Sequence, residues 1–196
     1  MKPMLPAMFL TCVTAALADD APEPLPDFAT CMDLEVARFE RAMERLWQVP
    51  GTEPFEVGGT TGVGYCGGVG ITLCDRLGDV VPCLAALEAE QEALRAKVLG
   101  ALPAPEALDG HDDPLARDLY RPLHALAQGT SAGPDCGGTE GGFGAWCKAW
   151  AANDALRMAV RTWELARYLG AVQDAVSAGW AHPPPPTRPR ARKDAE

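Results

Sequence analysis

Six cysteines, at positions 31, 66, 74, 83, 136 and 147, constrain this chain more than any other feature, because their chemistry depends on the compartment they reach. The first residues speak to that compartment. Lys2 precedes an apolar run from Met4 to Leu17 broken only by Pro6 and two threonines, and Ala16-Leu17-Ala18 stands before Asp19-Asp20. That order is the pattern of a secretory signal peptide over residues 1–18, cut after Ala18, and it takes Cys12 with it. An even set of cysteines in an exported chain predicts a disulfide framework. No CxxC spacing is present, which removes the thioredoxin-type redox motif and the commonest zinc-knuckle spacing. Closing a short loop such as Cys74 to Cys83 contributes about 2–3 kcal/mol in the chain-entropy view. Against a typical total of about 5–15 kcal/mol, three such bridges decide whether a small domain folds. Six cysteines allow many connectivities; proximity along the chain predicts Cys31 with Cys66, Cys74 with Cys83, and Cys136 with Cys147.

Export places the mature chain in the periplasm or outside the cell. No segment after residue 18 has the roughly 18 or more consecutive apolar residues of a membrane span, so no transmembrane segment is expected. The formal net charge is -10. Without residues 1–18, whose only charge is Lys2, it becomes -11; the last fifteen residues carry +2, leaving -13 over residues 19–181. Such a body disfavours nucleic acid and favours cationic partners through long-range attraction.

Residues 19–26, rich in proline and acid, read as a flexible leader, and residues 27–181 as a single all-α, disulfide-stapled domain of about four helices. Asp27 caps the first helix, in which Phe28, Cys31 or Met32, Phe39, Met43 and Leu46 or Trp47 recur at helical intervals. Glu35, Arg38, Arg41, Glu44 and Arg45 form its solvated face. Residues 49–79 are dense in glycine and threonine and read as a long cross-linked loop. Either it is a structural arm over Tyr65 to Leu73 tied down by its cysteines, or it is an exposed binding loop. It lacks GK[ST], so a phosphate cradle is not expected. The partner-binding candidates are Tyr65, Gly67 and Gly68.

A second helix follows Asp79, with Cys83, Leu84, Leu87, Gln91, Leu94 and Val98 on one face. Asp113-Pro114 opens a third, with Leu115, Leu119, Leu123 and Leu126 inward and Pro122 kinking or splitting it. Asp109, His111, Asp112 and Asp113 carry metal-ligand groups, but their spacing is not that of a calcium loop and capping explains them better. No metal or cofactor is expected. From Cys136 to Gly170 a glycine hinge leads into the longest helical pattern. Trp146, Trp150, Asn153, Leu156, Val160 and Trp163 share its face, making it the helix the others pack on. Gly170 interrupts it before a resumption to Ser177. The tail, 182–196, is polyproline followed by basic residues and joins no core.

Several of these pieces have a counterpart elsewhere. Cys74 and Cys83 stand directly before an acidic amphipathic helix through Glu88, Glu92 and Leu94; later come Gly141-Gly142, Cys147, and a closing helix with Arg157, Arg161 and Leu165. Over residues 74–165 the chain resembles the LprI-type lysozyme-inhibitor family of small exported bacterial proteins. It departs from that pattern in the middle helix, where Arg117-Asp118 lacks the usual tryptophan and Cys136 comes late, and at Asp154, where a threonine is common. The first helix and the glycine segment with Cys31 and Cys66 are additions. The resemblance implies a helical scaffold that binds and inhibits a cationic lysozyme or similar cell-wall hydrolase. The alternative is a structural or assembly module of the envelope. An enzyme is not expected, since no serine elbow or metal triad is present.

Overall fold

A computed structural model describes residues 24–49, 61–109, 112–129 and 135–183. The segments expected to be a signal peptide and most of a leader, residues 50–60 and the tail beyond Pro183 lie outside the described residues. Five α-helices and a short 3-10 turn make up the described chain, and it contains no strand: α1 (Phe28–Gln48), α2 (Thr61–Asp75), α3 (Val80–Gly100), the turn Pro105–Leu108, α4 (Pro114–Gly129) and α5 (Gly141–Tyr168).

The expected start signals operate. Asp27 Oδ1 accepts from the Thr30 amide at 2.7 Å, and Asp113 Oδ1 from the Ala116 amide at 3.0 Å behind Pro114. Each satisfies one of the amide donors left open at a helix start. On α1, Phe28, Cys31, Met32, Val36, Phe39 and Met43 are buried, and on α3 Leu84, Leu87, Gln91 and Val98. Those are the stripes their spacing predicts.

The helix α5 is the hub. It packs along α2, α3 and α4, and α1 reaches it through Phe39, whose ring lies 5.6 Å from Trp163, and through Glu40. Arg167 donates to both oxygens of Glu40 from Nε at 3.2 Å and again from Nη2 at 3.1 Å, while its guanidinium sits 4.6 Å over the Trp47 ring. Planar pairing of this kind fixes orientation as well as energy.

The glycine-rich segment is the main correction. Residues 61–75 are a helix, not a loop, although five of the fifteen are glycine. Each glycine costs a helix about 1 kcal/mol relative to alanine, so something else must hold α2. Two bridges do: Cys31–Cys66 ties it to α1 and Cys74–Cys83 to α3, with Cα separations of 5.5 and 5.4 Å. Thinness helps too. A Cβ on Gly62 would overlap Glu35 of α1, one on Gly67 would overlap the Asn153 amide of α5, and one on Gly70 would come within 2.9 Å of Leu87 of α3. Glycine lets one slender helix lie against three others.

The third bridge, Cys136–Cys147, spans a Cα separation of 5.8 Å and closes the turn into α5, so all three cysteine pairs follow chain proximity. Gly138 and Gly141 there have φ of 79° and 62°, values that favour glycine.

Two further readings are corrected. Helix α4 is continuous through Pro122 and is turned so that Ala116, Tyr120 and Ala127 face inward, while Leu115, Leu119 and Leu126 are exposed. Small alanines permit close approach to Leu165, Ala166 and Leu169, and the Tyr120 hydroxyl donates to the Pro103 carbonyl at 2.7 Å. Helix α5 does not resume after Gly170. Gly170, at φ 69°, ends it with the Ala171 amide on the Ala166 carbonyl and the Gly170 amide on the Arg167 carbonyl, a Schellman closure. Gly179 repeats the arrangement, and the chain folds back so that Trp180 meets Trp163 edge-on at 4.8 Å.

Candidate partner-binding face

Helices α2 and α5 run side by side in opposite directions. Position 64 of α2 lies against Arg157, position 68 against Trp150, and Asp75 shares a groove with Phe143 and Trp146. The helical repeat then puts Tyr65, Gly68, Thr72 and Asp75 along one side of α2, next to an aromatic ladder on α5. Phe143 and Trp146 stack with centroids 5.9 Å apart and planes at 18°, and Trp146 meets Trp150 edge-on at 6.0 Å. Trp146 departs from the expected buried stripe at 39 % exposed, while Trp163 at the far end of the same helix is 1 %; its neighbour Phe143 is 66 % exposed. Tyr65 is 57 % exposed.

The three sequence candidates therefore divide. Tyr65 presents its ring to solvent. Gly67 is buried on Asn153, and Gly68 forms the floor beside Trp150, with room for a Cβ at 3.7 Å from the ring. Phe143 and Trp146 belong to the face but were not singled out for it. Their signal was the three-residue spacing of two large aromatics at a helix start, which reads equally well as core. The groove between Asp75, Val80, Leu84, Gly142, Phe143 and Trp146 measures about 420 Å³. An Asp154–Arg157 ion pair of 2.9 Å borders the face near its other end.

Buried polar groups lie deeper. Gln91 and Asn153 keep both amide atoms without a partner among the described residues, and so does Oε2 of Glu164. Burial pushes the Glu164 carboxyl up to about 8, against a weaker opposing pull from Arg161. Desolvation likewise raises the Tyr120 phenol.

Among the described residues no group of three His, Cys, Asp or Glu is placed to hold a metal ion. Asp113 caps α4, Asp109 pairs with Arg121 at 3.2 Å, and His111 lies outside the described residues. No helix of the described residues is long and apolar enough to cross a membrane. Three disulfides fit an oxidising, extracellular-type setting. The chain finds no match among protein-family models, curated proteins or solved structures.

Proposed function

We propose that the chain is an exported binding protein that acts without turnover, and that its partner is a cationic lysozyme-type cell-wall hydrolase docked on the α2/α5 face. The observation that carries this reading is the exposure of Tyr65, Phe143 and Trp146 along one edge of a disulfide-braced body. Exposed aromatics in a contiguous strip are the anchors protein partners use. The net charge of -10 supports a cationic partner, since complementary charge speeds encounter. The LprI-type features support the hydrolase: Cys74, Cys83 and Glu88 at the junction of α2 and α3, and Gly141-Gly142 and Cys147 opening α5.

The test is titration of the oxidised protein into a muramidase assay at low and high salt. Lysis should slow at micromolar inhibitor, with Tyr65→Ala and Trp146→Ala each weakening inhibition about tenfold or more and added salt slowing association. An unchanged lytic rate at micromolar excess rejects the reading.

A second reading, an envelope assembly module, is favoured by one observation. Leu115, Leu119 and Leu126 form an exposed stripe on α4, with Leu115 70 % accessible. Leu119→Glu would abolish capture of a helical envelope partner under this reading and leave muramidase inhibition intact under the first.

A further inference from the structure

Between α1, α3 and the returning C-terminal turn lies a cavity of about 160 Å³ that shares no residue with the α2/α5 face. Phe28, Met32, Val36 and Trp180 line it and are themselves buried, so they form its floor. The turn is strapped over α1 by two carboxylates seven residues apart: Glu40 Oε1 accepts from the Ala175 amide at 3.3 Å, and Asp33 Oδ1 from the His182 amide at 2.9 Å. The cavity is thus built by long-range contacts that hold Trp180 in place. Its size matches that of an engineered protein cavity of about 150 Å³ that admits benzene.

Charge at the rim is uneven. Asp33 is engaged by the His182 ring, with Nδ1 3.1 Å from Oδ2. Lys97 and Glu90, both exposed, complete the rim. Neither has an ion-pair partner among the described residues. Glu90 is in an adverse setting: desolvation of its carboxyl and then the Asp27 carboxylate both oppose its ionisation. The lining carboxylates Asp33 and Glu90 outnumber Lys97, and Asp27 acts on Glu90 from beyond the lining, so the mouth leans negative. In addition, the buried Nε1–H of Trp180 meets no acceptor among the described residues.

We infer that this cavity binds a small organic amine, an aromatic or alicyclic ring resting on Met32 and Trp180 with its ammonium against Glu90. An apolar floor with a few polar groups at one end is the usual form of a small-molecule site. A cation beside Glu90 offsets the desolvation and the Asp27 carboxylate that oppose its ionisation. An anion of the same shape meets the net negative mouth and is repelled.

The experiment titrates the full oxidised chain with benzylammonium, benzyl alcohol and benzoate at pH 7, following the Trp180 indole N–H resonance. Benzylammonium should shift that resonance saturably at millimolar concentration or below, benzyl alcohol should bind about tenfold more weakly, and benzoate not at all. Glu90→Gln should weaken benzylammonium binding about tenfold and leave benzyl alcohol unchanged. Ala93→Phe, at another exposed lining position, should block both. Equal binding of the amine and the alcohol, full-strength binding by Glu90→Gln, or no saturable shift at Trp180 overturns the proposal. Glu90 and Ala93 are both exposed, so neither variant disturbs the core. Muramidase inhibition that survives both variants separates this site from the α2/α5 face.

Discussion

Among the described carboxyls Glu164 is the one whose titration the fold perturbs most, because it is only 6 % exposed and is pushed up to about 8 by burial. Between roughly pH 4.5 and 8 the folded chain keeps a proton that the unfolded chain has released, so stability declines as pH rises across that window and levels off above it. The loss is at most about 5 kcal/mol. Asp27 and Asp174 act in the opposite sense. Hydrogen bonds from Thr30 and Ser177 hold their carboxyls low, so their contribution is present above the ordinary carboxylate range and fades as pH falls through it. Urea unfolding across pH should therefore show greatest stability near pH 4–5. Glu164→Gln should flatten the decline, match the parent at pH 4 and exceed it at pH 8.5; an unchanged slope rejects the assignment. Two neighbouring glycines give a sharper contrast. Gly67→Ala would drive a methyl into the buried Asn153 amide and should cost about 1–3 kcal/mol. Gly68→Ala meets Trp150 at an ordinary 3.7 Å and should stabilise by about 0.5–1 kcal/mol through helix propensity. Thermal melts of the two variants should move in opposite directions.

At the scale of elements, α1 and α3 were legible because their apolar residues keep a 3.6-residue period behind recognisable starts, Asp27 for one and Asp79 with Pro82 for the other. Helix α2 was not, because glycine at this density argues for loop by propensity alone. Val63, Cys66, Gly70 and Cys74 do recur at three- and four-residue steps, but the closeness of three neighbouring helices is what makes the small residues an asset. In α4 the leucines outrank alanine and tyrosine in hydrophobicity, so periodicity chose the wrong inward side. The partners Leu165, Ala166 and Pro103 that decide it lie far away in sequence. The α2/α5 face was legible only at Tyr65 and Gly68, since it exists through juxtaposition. Because propensity does not hold α2, its bridges must. Cys66→Ser paired with Cys31→Ser should cost about 3–4 kcal/mol and expose α2 amides to hydrogen exchange before those of α3 and α5. Simultaneous exchange of all three helices would refute that ordering.

Across the whole molecule, stability is assembled around α5, with α1 secured by Phe39 and by the Glu40–Arg167 pair, whose side chains are only 21 % and 16 % exposed. Arg167→Lys keeps the charge but loses the fork and the stacking on Trp47. It should cost about 1–3 kcal/mol and release the turn that carries Trp180, since Glu40 also accepts from Ala175. Trp180 fluorescence should report that release before global unfolding.

The serial placement of the bridges has a mechanical consequence. They span sequence separations of 35, 9 and 11 residues, and a chain tugged from its two ends cannot pay out the thread enclosed by each ring. At about 3.4 Å per residue, roughly 170 Å of slack stays locked until a reductant arrives. A single molecule stretched in an optical trap should lengthen by that much more after thiol treatment, and any motor dragging the oxidised form through a narrow pore would have to admit loops rather than a single strand.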